Sequence, residues 1–184
     1  GNSKNFNKFL EDLKLEICIH KINENYYNRV SQIFERTNQF NLTGTKFDVS
    51  ELKKICQDDL SICLVLKAKD RFSDLGAVAS VIATNSNENS ENPILEIINF
   101  ALSCRAFDRN FETLLFVALH NTAITRGFKE IRACYRPSPK NKLCKSFFKT
   151  QGMNVSSENK FKTNFRVLLK NKINYKMKYK IHFD

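Results

Sequence analysis

Between Leu60 and Leu102 the chain runs through three apolar, strand-length stretches, Leu60–Lys69, Leu75–Ala83 and Ile94–Leu102. The polar connections Asp70-Arg71-Phe72-Ser73-Asp74 and Asn85–Asn92 separate them, and the second contains no apolar residue. Such runs, bounded by turn-forming residues, read as strands of one sheet joined by short connections. Ile94–Leu102 is the most apolar of the three, with a bend expected near Asn99. Glu16–Lys21 adds a further strand, with Ile17 and Ile19 on one side and Cys18 on the other.

Helical spacing appears on either side of these strands. Tyr26, Tyr27, Val30, Ile33 and Phe34 recur along one face, and Asp48 or Ser50 can cap a second helix through Ile55 with Glu51 in its first turn. Phe111–Arg126 reads as a long helix stopped by Gly127. Phe128–Tyr135 follows as a strand, Asn141–Thr150 as a short helix with Leu143, Cys144, Phe147 and Phe148 inward, and Phe161–Leu169 as a last strand before a Lys-rich tail. The expected class is α/β (α+β), a mixed central sheet flanked by helices and not a doubly wound parallel one. Residues 1–15 carry Phe6, Phe9, Leu10 and Leu13 at helical spacing and suit a short helix or linker from an upstream domain. Residues 16–184 then form a single domain, of a length that can bury a sizeable core.

Composition narrows the function. No apolar run spans a bilayer, so a membrane partner is not expected. Six cysteines lack any CxxC spacing and only three histidines are present, which argues against a metal site and for reduced, cytoplasmic thiols. Charge is uneven: residues 1–100 hold 12 Lys/Arg against 14 Asp/Glu, net −2, whereas residues 101–184 hold 18 against 5, net +13. That half projects a positive field toward an anionic partner, although a Lys-filled surface also follows from a compositional bias that gives 21 Asn. A nucleic-acid partner is disfavoured because no recognition-helix or aromatic-stacking pattern interleaves the charges.

One stretch has no apolar period at all. Arg36-Thr37-Asn38-Gln39-Phe40-Asn41-Leu42-Thr43-Gly44 is polar and nearly uncharged. Carboxamides and hydroxyls of this kind favour hydrogen bonds to backbone or ligand. Asn38, Gln39 and Asn41 are accordingly candidates to bind substrate, or to cap and cross-link a loop.

The second half is similar in layout to the GNAT acyltransferase superfamily: a central strand (Ile94–Leu102), a loop, a helix, a neighbouring strand (Glu130–Tyr135) and a second helix. The resemblance implies a GNAT-like fold whose loop and helix N-terminus hold a pyrophosphate and whose two central strands splay around the pantetheine arm. Asn141…Phe147-Phe148-Lys149…Gly152-Met153 resembles the superfamily's Asn…Phe-Tyr…Gly-Phe segment, which touches the pantetheine end. The loop departs from the superfamily's Arg/Gln-x-x-Gly-x-Gly/Ala. It reads Arg105-Ala106-Phe107-Asp108-Arg109-Asn110, with an Asp charge where the first glycine would admit a pyrophosphate. Asn110 can still take the left-handed conformation.

Four stretches together resemble FkbH-like proteins, bacterial enzymes that load glyceryl units onto acyl carrier proteins in secondary-metabolite (polyketide) pathways. They are Arg36–Thr43, Leu66–Gly76, Leu102-Ser103-Cys104-Arg105…Arg109…Glu112 and Pro137…Lys140-Asn141, covering roughly residues 10–155. The resemblance implies an acyltransferase domain that hands a glyceryl thioester to an acyl carrier protein. It also implies an upstream haloacid-dehalogenase-like domain, whose Asp-x-Asp-x-Thr motif is not found in this sequence. Cofactors would be the phosphopantetheine of the carrier, or coenzyme A (acetyl-CoA), held by Arg105, Arg109, Asn110 and Asn141.

Cys104 is the sharpest catalytic candidate. A strand-end thiol followed by Arg105 and a helix favours a thiolate that could carry an acyl group; its alternative is a small buried packing residue. Asp70 is a candidate base. Arg132, Arg136, Lys140, Lys142 and Lys145 form the expected docking surface for an acidic carrier. Two other readings stay open: an acetyl-CoA-dependent N-acetyltransferase, and a non-catalytic module that docks carrier proteins.

Overall fold

In the computed structural model, residues 15–87, 91–175 and 180–183 are described. The helix expected over residues 1–15 therefore lies almost wholly outside them. One eight-stranded sheet runs through the molecule in the order β6-β7-β5-β4-β3-β2-β1-β8. Its strands are β1 Glu16–Lys21, β2 Ile62–Lys69, β3 Asp74–Asn85, β4 Ile94–Leu102, β5 Glu130–Tyr135, β6 Asn154–Glu158, β7 Thr163–Leu168 and β8 Lys180–Phe183. Pairing is antiparallel except for β4 with β5 and β1 with β8.

Helices α1 (Tyr27–Arg36) and α2 (Val49–Gln57) cover one face. Val30, Ile33 and Phe34 of α1 and Leu52 of α2 pack there on Val65, Ile82 and Ala101. The start of α2 is fixed by a capping box: Glu51 N donates to Asp48 Oδ1 at 2.8 Å and Asp48 N donates to Glu51 Oε2 at 2.9 Å. On the other face lies α3 (Phe111–Thr125), in which every residue from Leu114 to His120 is buried. Beside it lies α4 (Phe147–Thr150), whose Phe147 and Phe148 rings stand 6.2 and 6.5 Å from that of Phe116. Asn121 clamps the chain at Ile173, donating to its carbonyl at 3.0 Å and accepting from its N–H at 2.8 Å. At Gly127, with φ of 84°, the helix ends in a conformation that carries no penalty for glycine.

Three expectations need correction. The helix over Asn141–Thr150 is instead a 3₁₀ turn at Lys142–Cys144 followed by the single turn of α4. Leu143 faces outward, 66% exposed, because the tighter turn rotates it away from Cys144, Phe147 and Phe148. Strands β6 and β8 were not expected. β6 is exposed along its whole length, so its sequence carries no apolar alternation, and its identity comes only from pairing with β7.

Strand β4 positions everything that follows. Opposite β3 it contains one extra residue: Asn99 pairs with Ile82 and Ile97 with Ala83, leaving Ile98 as a bulge. Alongside β5 it is paired only from Ile94 to Ile97. Past that point the two strands separate and leave a wedge between Phe100–Leu102 and the end of β5. The wedge floor is aromatic, with the Phe147 ring 5.2 Å from Phe40, 5.0 Å from Phe100 and 5.3 Å from Phe148. Phe147→Ala should lower the unfolding free energy by about 3–5 kcal/mol in a urea titration, the range for deleting a buried ring; a loss under about 1 kcal/mol would contradict this packing.

Candidate functional site

The wedge between β4 and β5 is filled by the chain itself. Phe40, Asn41 and Leu42 lie in it as a short extra strand: Leu42 N donates to Phe100 O at 3.1 Å and Leu102 N donates to Phe40 O at 3.0 Å. On the far side Arg136 N donates to Leu42 O at 2.9 Å, so the insert bridges both separated strands. All three inserted residues are buried.

Three carboxamides fasten the insert. Asn99 is fully buried; its Nδ2 donates to Asn41 Oδ1 (2.8 Å) and Thr45 O (2.7 Å), and its Oδ1 accepts from Thr43 N (3.1 Å) and Phe100 N (2.8 Å). Asn41 Nδ2 donates to Phe34 O and Thr37 O, while its Oδ1 also accepts from Gly44 N at 2.8 Å. Asn141 Nδ2 donates to Asn41 O and Arg136 O, both at 2.9 Å, and its Oδ1 accepts from Ser138 N (2.8 Å) and Tyr135 Oη (3.2 Å). Each amide thereby fills all four of its hydrogen-bonding positions. The bulged carbonyl of Ile98 accepts from Thr43 Oγ1 at 3.0 Å. Asn41 and Asn141 were candidates for substrate and pantetheine; the structure spends both on the framework.

The loop after β4 keeps its expected backbone without its expected glycines. Asp108 has φ of 62° and Asn110 φ of 57°, both left-handed, at the two positions where the superfamily pattern carries Gly and Gly/Ala. Asp and Asn are among the residues that tolerate this region. Asp70 sits beneath the loop, buried: its Oδ1 accepts from Phe72 N and Ser73 N, both at 2.9 Å, and its Oδ2 faces Arg109 Nη2 at 3.6 Å. Arg109 Nη1 also donates to Arg105 O at 2.9 Å. Asp70 is thus committed to a turn and an ion pair, which leaves its carboxylate poorly placed to act as a base, and Arg109 is tied to the loop rather than turned toward a ligand.

At the start of α3, Asp108 and Glu112 line a hollow of about 170 Å³ with Phe40, Leu102, Phe107 and Leu143. Glu112 Oε2 is buried and has no hydrogen-bond partner among the described residues. Burial, and then the charge of Asp108, raise the Glu112 carboxyl above its ordinary pKa, against its own backbone N–H. Two acidic side chains therefore occupy the helix end at which the superfamily resemblance implies a pyrophosphate.

A cavity of about 800 Å³ opens on the other side of this loop, toward α1. Arg29, Gln32, Ile33 and Arg36 line it from α1 at i, i+3, i+4 and i+7, a single helical stripe. Asn38, Gln39, Ser103, Cys104, Arg105 and Lys140 complete most of the wall, and no carboxylate lines it. Arg29 Nε donates to Ala77 O at 3.1 Å, which anchors the side chain on β3 at the edge of the cavity. Burial, then the positive charges of Arg105 and Arg36, hold its guanidinium below the usual value. Cys104 opens a 3₁₀ turn and is exposed, so it is not the buried packing residue of the alternative expectation. Cys144, by contrast, is buried and its thiol is pushed up to about 11, chiefly by that burial.

The structure thus brings Asn38, Gln39, Cys104, Arg105 and Lys140 to one cavity. Arg29 and Arg36 were missed by sequence reasoning, although their seven-residue spacing on the predicted helix was available. Asn110 caps α3 from the left-handed region with no side-chain hydrogen bond to the helix. The expected docking residues do not form one patch. Arg132 pairs with Glu130 at 2.6 Å on the sheet, Arg136 borders a hollow with Glu35 and Lys46, and Lys145 borders another with Lys149 and Glu158. Lys142 is exposed on the 3₁₀ turn. Among the described residues no group of three or more His, Cys, Asp or Glu side chains is arranged to hold a metal, and no helix is long and apolar enough to cross a membrane.

No protein-family model and no curated protein matches the chain. Solved structures do. The chain is similar to the ribosomal-protein-S18-alanine N-acetyltransferase from Escherichia coli at a TM-score of 0.63 and 12% identity, over 86% of this chain and 99% of that one. It is similar to an acetyltransferase of the GNAT family from Streptococcus pneumoniae at 0.62 and 14%, over 84% and 100%. It is also similar to N-acetylglutamate synthase from Neisseria gonorrhoeae, a structure containing coenzyme A and N-acetyl-glutamate, at 0.63 and 11%, over 84% of this chain and 35% of that one. The fold is that of the GNAT acetyltransferases. The resemblance to FkbH-like proteins rests on the four sequence stretches alone.

Two variants test the site's framework. Asn99→Ala strands Thr43 N, Phe100 N and Thr45 O together, so urea denaturation should show a loss of about 3 kcal/mol or more. Glu112→Gln should stabilise the chain at neutral pH, because the folded-state carboxyl has a raised pKa and resists ionisation. The gain should fade as the pH falls through that raised value toward the unfolded-state value near 4.3. Thermal midpoints measured from pH 4 to 8 for both proteins would read this, and a constant offset would refute the assignment.

Proposed function

We propose that this chain is an acyl-transfer domain in which Cys104 carries a glyceryl-type acyl group between thioesters and delivers it to an acyl carrier protein. The observation that carries the reading is the exposed Cys104 thiol on the wall of a cavity lined by Arg29, Arg36, Arg105 and Lys140. A thiol that opens onto a cavity is accessible to a donor thioester, as a nucleophile must be.

In the forward sequence the Cys104 thiolate attacks the carbonyl carbon of the donor thioester. The C–S bond to the donor breaks and the donor leaves as a thiolate. The thiolate of the carrier's phosphopantetheine then attacks the acyl-Cys104 carbonyl and expels the Cys104 thiolate, so each step exchanges one thioester for another with no redox change. Asn38 and Gln39 line the same cavity and offer both donors and acceptors to glyceryl hydroxyls. An acidic carrier would approach at the cavity rim, where Lys140 is exposed.

An acetyl-CoA-dependent N-acetyltransferase is the second reading, favoured by the fold and by the left-handed geometry retained at Asp108 and Asn110. Against it stand the filled wedge and the carboxylates of Asp108 and Glu112 at the start of α3. Intact-protein mass spectrometry after incubation with a glyceryl thioester should show one added glyceryl group on the wild-type chain and none on Cys104→Ala. Equal labelling of the variant, or micromolar binding of acetyl-CoA by calorimetry, would overturn the Cys104 reading in favour of direct transfer.

A further inference from the structure

The α1-side cavity gathers positive charge in a way that a neutral substrate would not require. Arg29 and Arg36 project from one stripe of α1, Arg105 faces them from the loop after β4, and Lys140 closes the rim. Of the ion pairs between described residues, none involves any of these four side chains. After burial, the charges of Arg105 and Arg36 both lower the pKa of Arg29, as closely gathered cations do. Like charges held together without counter-charges destabilise a fold, and a bound anion relieves them.

We infer that this cavity is a receptor for a phosphate-bearing ligand, with the guanidiniums of Arg29, Arg36 and Arg105 as its anion-binding groups. Several guanidinium forks supply more donors than the two oxygens of a carboxylate can accept, whereas a phosphate presents additional acceptor oxygens and up to two negative charges. The volume, about 800 Å³, is much larger than a bare phosphate and leaves room for the molecule that carries it. Ile33, Phe107 and Pro139 give that molecule an apolar wall. The location also follows from what is closed elsewhere, since the α3 end of the loop is lined by Asp108 and Glu112. Phosphate binding here does not depend on Cys104 acting as a nucleophile. The phosphate could belong to a free phosphorylated compound or to a phosphopantetheine arm.

Calorimetric titration of the chain with phosphopantetheine, with pantetheine and with inorganic phosphate separates these sources. Phosphopantetheine should bind, pantetheine should bind at least roughly tenfold more weakly, and the affinity should fall with salt. Arg36→Gln, an exposed change at a helix end, should weaken phosphopantetheine binding roughly tenfold, while Lys149→Gln, on a different hollow, should leave it unchanged. Arg29→Gln gives a second reading, with thermal midpoints confirming that each variant is folded. Inorganic phosphate binding as tightly as phosphopantetheine would support the receptor and assign it to free phosphorylated compounds. Equal affinity for pantetheine and phosphopantetheine, indifference to Arg36→Gln in a folded protein, or no binding of any probe would each overturn the inference. Failure of Cys104→Ala to abolish acyl labelling would leave these titrations untouched.

Discussion

The mutual hydrogen bonding of Asn41, Asn99 and Asn141 is the constraint from which the rest of this structure follows. A β-bulge at Ile98 and the parting of β4 from β5 release backbone groups that the sheet can no longer pair. In a buried place such groups must find partners. Here the chain supplies them from its own segment at Phe40–Thr43, and the carboxamides hold that segment in register with both strands. A carboxamide suits the task because it donates and accepts at once without charge, so a network of them can be buried with every position filled.

This has a direct effect on where chemistry can happen. The wedge between the central strands is occupied, the helix end beside it carries carboxylates, and the open volume lies instead between α1 and the far side of the same loop. The ion pair between Asp70 and Arg109 is part of that arrangement: it pins the middle of the loop to the β2–β3 turn. Arg105, a few residues earlier and not so restrained, is left to face α1. Two arginines of one short loop thus serve opposite purposes, one holding the backbone and the other contributing field to the cavity.

Much of the fold could be read from the sequence because its signals were local. The strands at β1 to β5, the capping box at Asp48 and Glu51, the bend near Asn99 and the stop at Gly127 are each set by residues close in the chain. β6 was illegible because an exposed edge strand needs no apolar residues, and Leu143 because a tighter turn changes which side chain points in. At the site, the polar stretch from Arg36 to Gly44 was recognisable as unusual, but its purpose was not. Whether the Asn41 amide meets a ligand or the Asn99 side chain of β4 depends on a contact 58 residues away, which no local pattern encodes. Arg29 and Arg36 were hidden for a different reason: charged residues on a helix usually face solvent, and only the position of the neighbouring loop turns their stripe into a wall.

The left-handed backbone at Asp108 and Asn110 also says something about the distance between this chain and others of its fold. Glycine adopts that conformation without the penalty an L side chain incurs. Replacing either residue with glycine would demand no movement of the loop, and at Asp108 it would remove a negative charge in the same step. The path of the main chain and the chemistry it presents are therefore separable here. In mutational terms, the loop stands a single codon change from a less acidic form, while the filled wedge, locked by three interdependent amides, could be emptied only through several changes made together.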